Sequence, residues 1–408
     1  MHLLYILLIL LLVTRACSEI AVRFKQPSLV GELLGGVLLG ILFANFADSS
    51  SVLAAVDTDE TFQAVLDLAV FFLMLLAGIE MRPGELARAA GRSAPIAIVA
   101  MLVPLGLGIA LGWWWLPESN WKIAQALFIG VALAITAVPV AVKVLLDLGQ
   151  LQTRLGQVVV ASAVIDDVLS LVLLAVLTSL ITAGDTLTAG MLLTIGVNVL
   201  LFFAIAWGLG RFLLPWLGAR VRAWDLEHAE FSLLIIFGLA LSVLAEMLSM
   251  HFLIGAFAAG VFFTRNVVGD DLHEKLTVRV EAVTMGFLAP VFFASIGMHL
   301  NLDAVTEAPL FLFLLLTAAI AGKVLGGGLV ARATGFSTRH SLAIGAALNA
   351  RGAVEIIIAD IAFRAGLFDH PDPPPPAIEY LFSAIVIVAI ITTLMSPIIL
   401  RATLRPKK

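Results

Sequence analysis

Apolar runs separated by short polar connections repeat along the whole chain, and most are about as long as a helix that crosses roughly 30 Å of hydrocarbon. The pattern predicts helical spans at 3–22, 28–46, 60–79, 93–115, 123–147, 155–183, 189–214, 229–248, 251–265, 281–299, 307–333, 340–364 and 377–402. The ninth is short and the sixth and seventh are long. The first run ends in Thr14-Arg-Ala-Cys17, which has the form of a lipoprotein signal. A signal needs basic residues before its apolar part, and here Arg15, Arg23 and Lys25 follow it, so the run is expected to stay as a first helix.

Composition agrees with this pattern. Of 408 residues 61% are hydrophobic and only 13% charged, too little polar surface to clothe a soluble globule of this size. The expectation is an all-α polytopic membrane protein of about thirteen helices, a single transmembrane domain with no soluble regulatory domain. The one cysteine, Cys17, excludes an internal disulfide framework, and no Cys/His cluster suggests a structural metal. No cofactor is expected.

The basic residues report on topology. Counting those near a span end with the adjoining connection, twenty of the 24 lie after odd-numbered spans or in the C-terminal tail. Only Lys122 and Arg364 lie after even-numbered spans, and Lys323 and Arg351 remain inside spans. By the positive-inside rule the N-terminus is outside and the C-terminus cytoplasmic. The outer connections are acidic or proline-rich, as in Asp57-Thr-Asp-Glu60 and Asp369-His-Pro-Asp-Pro-Pro-Pro-Pro376.

Charges inside spans are costly and by default mark an ion path or a proton relay. Asp166 and Asp167 sit side by side in span six, Lys323 in span eleven, and Arg351 and Glu355 in span twelve. Opposite signs should meet, which pairs Lys323 with Asp166 or Asp167 and Arg351 with Glu355 four residues on. Two spans also carry breakers at mid-depth: Thr136 and Pro139 in span five, and Asn349-Ala-Arg351-Gly352 in span twelve. Proline removes a backbone hydrogen bond, and unwound backbone within a membrane is tolerated only where protein or a cavity surrounds it. Interrupted helices at corresponding positions of two halves point to a transporter's midplane site, and an offset of seven spans makes the halves inverted repeats.

Several stretches then carry a resemblance. They are Lys25-Gln-Pro27-Ser-Leu-Val-Gly31-Glu32-Leu-Leu-Gly35-Gly36, Phe71-Phe-Leu-Met-Leu-Leu-Ala-Gly78-Ile-Glu80, Leu253-Ile-Gly255-Ala-Phe-Ala-Ala-Gly260, Pro290-Val-Phe-Phe-Ala-Ser-Ile-Gly297 and Asn349-Ala-Arg-Gly352. In this order the chain resembles a monovalent cation:proton antiporter of the NapA and Kef-type branch, over nearly its whole length. The resemblance implies a fold with two crossing broken helices, a core bundle near 60–183 and 281–364, and remaining helices that serve as scaffold and homodimer interface. It implies that Asp167 binds the cation, and that Asp166 paired with Lys323 marks an electrogenic exchanger. It favours Na+, and less strongly Li+, over K+.

Physical chemistry supports such a role. Two carboxylates in one poorly solvated site repel, which raises at least one pKa, while a nearby ammonium pulls one back. Na+ and protons can then compete for the same oxygens, with Asp166, Asp167, Thr136 and freed carbonyls as hard ligands. Coupled exchange by alternating access follows, serving pH and sodium homeostasis in a cell (inner) membrane; the chain is not expected to be an enzyme. An intramembrane aspartyl protease brings its two acids from separate helices, one in Gly-x-Gly-Asp, a pattern absent here. The nearer rivals are a K+/H+ antiporter on the same fold and a passive cation channel. Glu32, Asp67, Glu246 and Asp360 are read as polar packing residues, His251 and His299 as interfacial histidines, and Gly326 to Gly328 as a point of close helix approach.

Overall fold

The computed structural model describes residues 2–24, 26–46, 60–81, 83–136, 141–142, 145, 150–151, 153–183, 189–221, 228–263 and 269–404. All regular structure among them is helical. Among the described residues eight helices are long and apolar enough to cross a membrane: Leu3–Arg23, Glu60–Glu80, Ser93–Trp115, Gly196–Val221, Ala229–Met247, Leu272–Met298, Pro309–Ala333 and Leu381–Leu404. The pair Thr338–Leu348 and Ala353–Arg364 makes a further span bent by 41° at its break. Shorter apolar helices occupy 28–42, 122–134, 169–181 and 252–262.

Several expected boundaries move, the seventh span for example running to Val221 rather than 214, and two of them move where a charged segment precedes the apolar part of a helix. The fourth span begins at Pro83 rather than 93, with proline in the first turn, where its missing N–H costs nothing. The tenth belongs to a helix that starts at Asp270, eleven residues before 281, and continues through one π turn, Thr284–Leu288, into Ala289–Met298. Its Asp270–Val283 part is too polar for an apolar window to find, yet Leu276 and Val280, one turn apart, are buried.

The chain forms two compact units. The first comprises 1–17, 32–83 and 187–298, the second 18–31, 84–186 and 299–408. In lipid there is no hydrophobic drive between helices, so close van der Waals packing through small residues has to hold them. In the first unit Gly78 and Gly260 form a reciprocal contact: a Cβ on Gly78 would stand 2.2 Å from the Phe257 carbonyl oxygen, and one on Gly260 2.3 Å from that of Leu75. Gly36 and Gly297 repeat the arrangement against Ala294 and Leu33. Glu32 is buried and ion-paired with Arg15 at 3.8 Å, and Arg15 also donates to the Met285 carbonyl in the π turn.

The second unit has a core of Ile96, Ala100, Leu155, Val159, Ala163, Ile344, Ala347 and Leu348. Gly326 lies against the Val99 carbonyl, where a Cβ would be 2.7 Å away, so the Gly326–Gly328 run does serve close helix approach. Outside the apolar core, Gln125 donates to the Leu367 and His370 carbonyls at 2.9 and 2.7 Å, and the His370 ring stacks on Trp121.

Candidate ion-binding site

Every described contact of the predicted site lies within the second unit, at two helix breaks. Helix Lys122–Ala134 stops after thirteen residues, about 20 Å at 1.5 Å per residue and short of a full crossing. Ile135 turns extended and Thr136 is non-helical and buried. Pro139 lies outside the described residues. Helix Thr338–Leu348 ends likewise, with Asn349 as its cap, and helix Ala353–Arg364 restarts after Gly352. Gly352 has an extended backbone that any residue can adopt, so the break here does not depend on glycine's conformational freedom.

A helix that ends inside a protein leaves its last carbonyls without partners. Here each break supplies groups that satisfy the other. Arg351, from the second break, donates through Nη1 to the Ala132 carbonyl and through Nη2 to that of Leu133 at 2.8 Å, in the last turn of Lys122–Ala134. Thr136, from the first break, donates its hydroxyl to the Leu348 carbonyl at 3.0 Å, the last residue of Thr338–Leu348. The signs also fit the helix dipoles. The guanidinium sits at a helix C-terminus, and Glu355 lies in the first turn of Ala353–Arg364.

Arg351 and Glu355 approach to 3.1 Å, fully buried, as the four-residue spacing predicts. The contact is ionic rather than an aligned hydrogen bond, because neither Glu355 oxygen accepts one. Lys323, also fully buried, donates to Thr136 Oγ1 at 2.7 Å and to Asp166 Oδ2 at 3.4 Å. Of the two partners that opposite charge leaves open for Lys323, the described contact is to Asp166. Thr136 thereby uses its single proton on Leu348 and a lone pair on Lys323, which leaves one lone pair. Asp166 is 2% exposed and its Oδ1 has no hydrogen-bond partner. Asp167 lies in the same helix, Arg154–Ala183, and its side chain is outside the described residues. Asn349 caps its helix through its backbone, with its side-chain oxygen buried and unpartnered.

Sequence reading missed two supports. Thr393 and Ser396, three apart on helix Leu381–Leu404, donate to the Arg351 carbonyl at 2.9 Å, within the second break, and to the Ala346 carbonyl at 2.8 Å, in the helical turn just before it. Hydroxyls in an apolar span were the available signal, but a hydroxyl can also bond within its own helix, as Thr392 does to Val388 at 2.8 Å. Of the polar packing residues, Asp360 pairs with Arg364 at 2.9 Å. The His299 ring lies tilted against Phe363, and the His251 ring tilted against Phe252.

Comparison with known proteins gives a consistent result. The family described as "Sodium/hydrogen exchanger, transmembrane" matches residues 7–405. The chain is 30% identical over 399 residues to the Na(+)/H(+)-K(+) antiporter GerN of Bacillus cereus, covering 98% of this chain and 95% of that one. It is 28% identical over 398 residues to a Na(+)/H(+) antiporter of Enterococcus hirae, covering 97% and 96%. Among solved structures, the sodium proton antiporter MjNhaP1 from Methanocaldococcus jannaschii superposes with a TM-score of 0.70 at 16% identity, over 98% of this chain and 97% of that one, and so shares its fold.

Proposed function

The chain belongs to the sodium/hydrogen exchanger family and is a multi-pass membrane protein, and from that premise we propose that it is a secondary antiporter exchanging Na+ for H+ at Asp166 and Asp167. The observation that carries the reading is a buried carboxylate, Asp166, held by a buried ammonium, Lys323, beside two helix breaks that cap each other. Such an arrangement is expensive in a membrane and by default marks an ion path or a proton relay.

The proposed cycle starts with two exchangeable protons in the site, one on Lys323, which pairs with Asp166, and one on Asp167. Na+ entering from one side takes carboxylate oxygens and the remaining lone pair of Thr136, displaces protons and weakens the Lys323 contact. With the positive charge rebalanced, the helices around the breaks move and the site opens to the other side, where protons reload it. Because one set of oxygens serves both ions, neither can cross in the wrong direction without the other. Arg351, Glu355 and Asn349 hold the ends of the broken helices. Retention of both acids and the lysine supports exchange of more than one proton per cation, hence electrogenic transport. We place the protein in the cell membrane with its C-terminus in the cytoplasm, as a homodimer, on the charge distribution and the resemblance.

K+ is the second reading, since the Bacillus cereus relative's name includes K+. The test is an assay in proteoliposomes with an internal pH dye, adding NaCl, KCl and LiCl in turn under an imposed pH gradient, for wild type and Asp167→Asn. Na+-driven proton movement that disappears in the variant is expected. A response to K+ alone transfers the function to potassium. Cation flux without a proton signal, surviving in the variant, overturns antiport in favour of a channel.

A further inference from the structure

Ser170 is a buried hydroxyl in the second unit that the mechanism above does not use, and it stands one turn from the acidic pair. It lies in helix Arg154–Ala183, is 3% exposed, and its Oγ has no hydrogen-bond partner. Other buried helical hydroxyls mostly have a partner. Ser162 reaches the Ser93 carbonyl of a neighbouring helix at 3.2 Å, while others bond back to the carbonyl four residues before, as Thr14 does to Leu10 at 2.6 Å, Thr178 to Leu174 at 2.9 Å and Thr284 to Val280 at 2.7 Å. Ser341 shares the lack of a partner but lies on another helix, Thr338–Leu348. The same bond for Ser170 would run to the carbonyl of Asp166, and it is not made. A buried hydroxyl left without a partner costs roughly 1–3 kcal/mol, so it calls for a reason.

Helix geometry supplies the context. At about 100° per residue, position 170 projects about 40° from position 166 and about 60° from position 167, within the wedge between the two acidic positions. It stands about 6 Å beyond the first and about 4.5 Å beyond the second along the axis. Helical Cβ atoms tilt toward the N-terminus, so a side chain at 170 leans back over the turn that carries the acids. Within that turn Asp166 Oδ1 is itself buried and unpartnered. Two open oxygens, one neutral and one anionic, thus share one helix face a single turn apart. A small hard monovalent cation asks for oxygens of this kind, and a neutral hydroxyl adds a ligand without adding charge that a proton would also seek.

We propose that Ser170 supplies an oxygen ligand to the transported cation and sets its affinity without taking part in the proton exchange. The proposal rests on the antiporter reading, and its test reads cation binding apart from transport. Purified protein is melted in choline chloride and in rising NaCl or LiCl, for wild type, Ser170→Ala and Ser170→Thr. Removing an unpartnered hydroxyl leaves the melting temperature in choline unchanged or higher. The Na+ concentration giving half-maximal stabilisation rises about tenfold in Ser170→Ala and returns toward wild type in Ser170→Thr. In proteoliposomes the half-maximal Na+ concentration shifts by the same factor, with the maximal rate within about twofold.

An Ala variant whose Na+ midpoint stays within about twofold of wild type overturns the proposal, as does a drop in choline stability with no change in midpoint, which a packing role would give. If Ser170→Ala yields no monodisperse protein, Ser170→Cys keeps the volume and replaces oxygen by a soft sulfur, and the same midpoint decides. Failure of the antiporter reading looks different: wild type would move no protons with any cation, whatever the midpoints in detergent.

Discussion

The two compact units share close glycine contacts but differ in how broken helices enter them. In the first, helices meet backbone to backbone at paired glycines, where a single added carbon would overlap a carbonyl oxygen. In the second, glycine contacts also occur, but the breaks are held by side chains: Arg351 on Ala132 and Leu133, Thr136 on Leu348, Thr393 on the Arg351 carbonyl within the second gap and Ser396 on the Ala346 carbonyl just before it. A steric contact has one geometry and no alternative. A hydrogen bond to a side chain can be exchanged for another of similar strength, so the unit built on such bonds is the one suited to rearrange as an ion binds and leaves.

That contrast can be broken deliberately. The largest effect is expected at Gly260→Val, whose Cβ would meet Leu75 O at 2.3 Å and Ile79 N at 2.7 Å, backbone atoms that cannot retreat. No monodisperse protein should elute from size exclusion, whereas Gly208→Ala, with nothing within 4 Å, should elute like wild type. Arg351→Met comes next. It strands Glu355 and two carbonyls, and removing one partner of a buried ion pair costs about 3–5 kcal/mol, read as a lower midpoint of chemical unfolding. Adding Glu355→Leu should restore a good part of that loss, which a purely steric role for Arg351 would not allow.

Smaller effects sharpen the comparison. Thr393→Val removes one buried hydrogen bond, worth about 1–3 kcal/mol with its acceptor left open, while Thr393→Ser should stay close to wild type by the same unfolding measurement. The smallest effect is expected at Glu118→Gln. Its pair with Lys122 spans 2.6 Å, but the Glu118 side chain is 88% exposed, so less than about 1 kcal/mol is at stake and salt should screen it.

How much of this was legible in the sequence differs by residue. The apolar spans are visible because lipid demands uninterrupted apolar length, and the Arg351–Glu355 pair because four-residue spacing puts two side chains on one helical face. The break at 349–352 shows in Asn349 and Gly352, short residues beside a charge, although the structure gives Gly352 an unremarkable backbone. Lys323 had to meet an acid, but the choice of Asp166 is a matter of helix rotation that spacing cannot give. The mutual capping was not legible, since it depends on residues more than 200 positions apart. Thr393, Ser396 and Ser170 were equally hidden: a hydroxyl in an apolar run reads the same whether it bonds its own helix, a neighbour or an ion. The helix from Asp270 was missed because hydropathy follows burial in lipid, and its first turns are too polar for it.

The claim at the centre is that cation and proton compete for the same carboxylates, Asp166 and Asp167. The most direct measurement adds NaCl to purified protein in a weakly buffered detergent solution containing a pH dye, with choline chloride as the control and Asp167→Asn as the comparison. The account predicts that Na+ releases protons into solution from wild type in proportion to occupancy, and none from the variant. Na+ that stabilises the wild-type protein against heat while releasing no protons, or release that persists undiminished in Asp167→Asn, would contradict it.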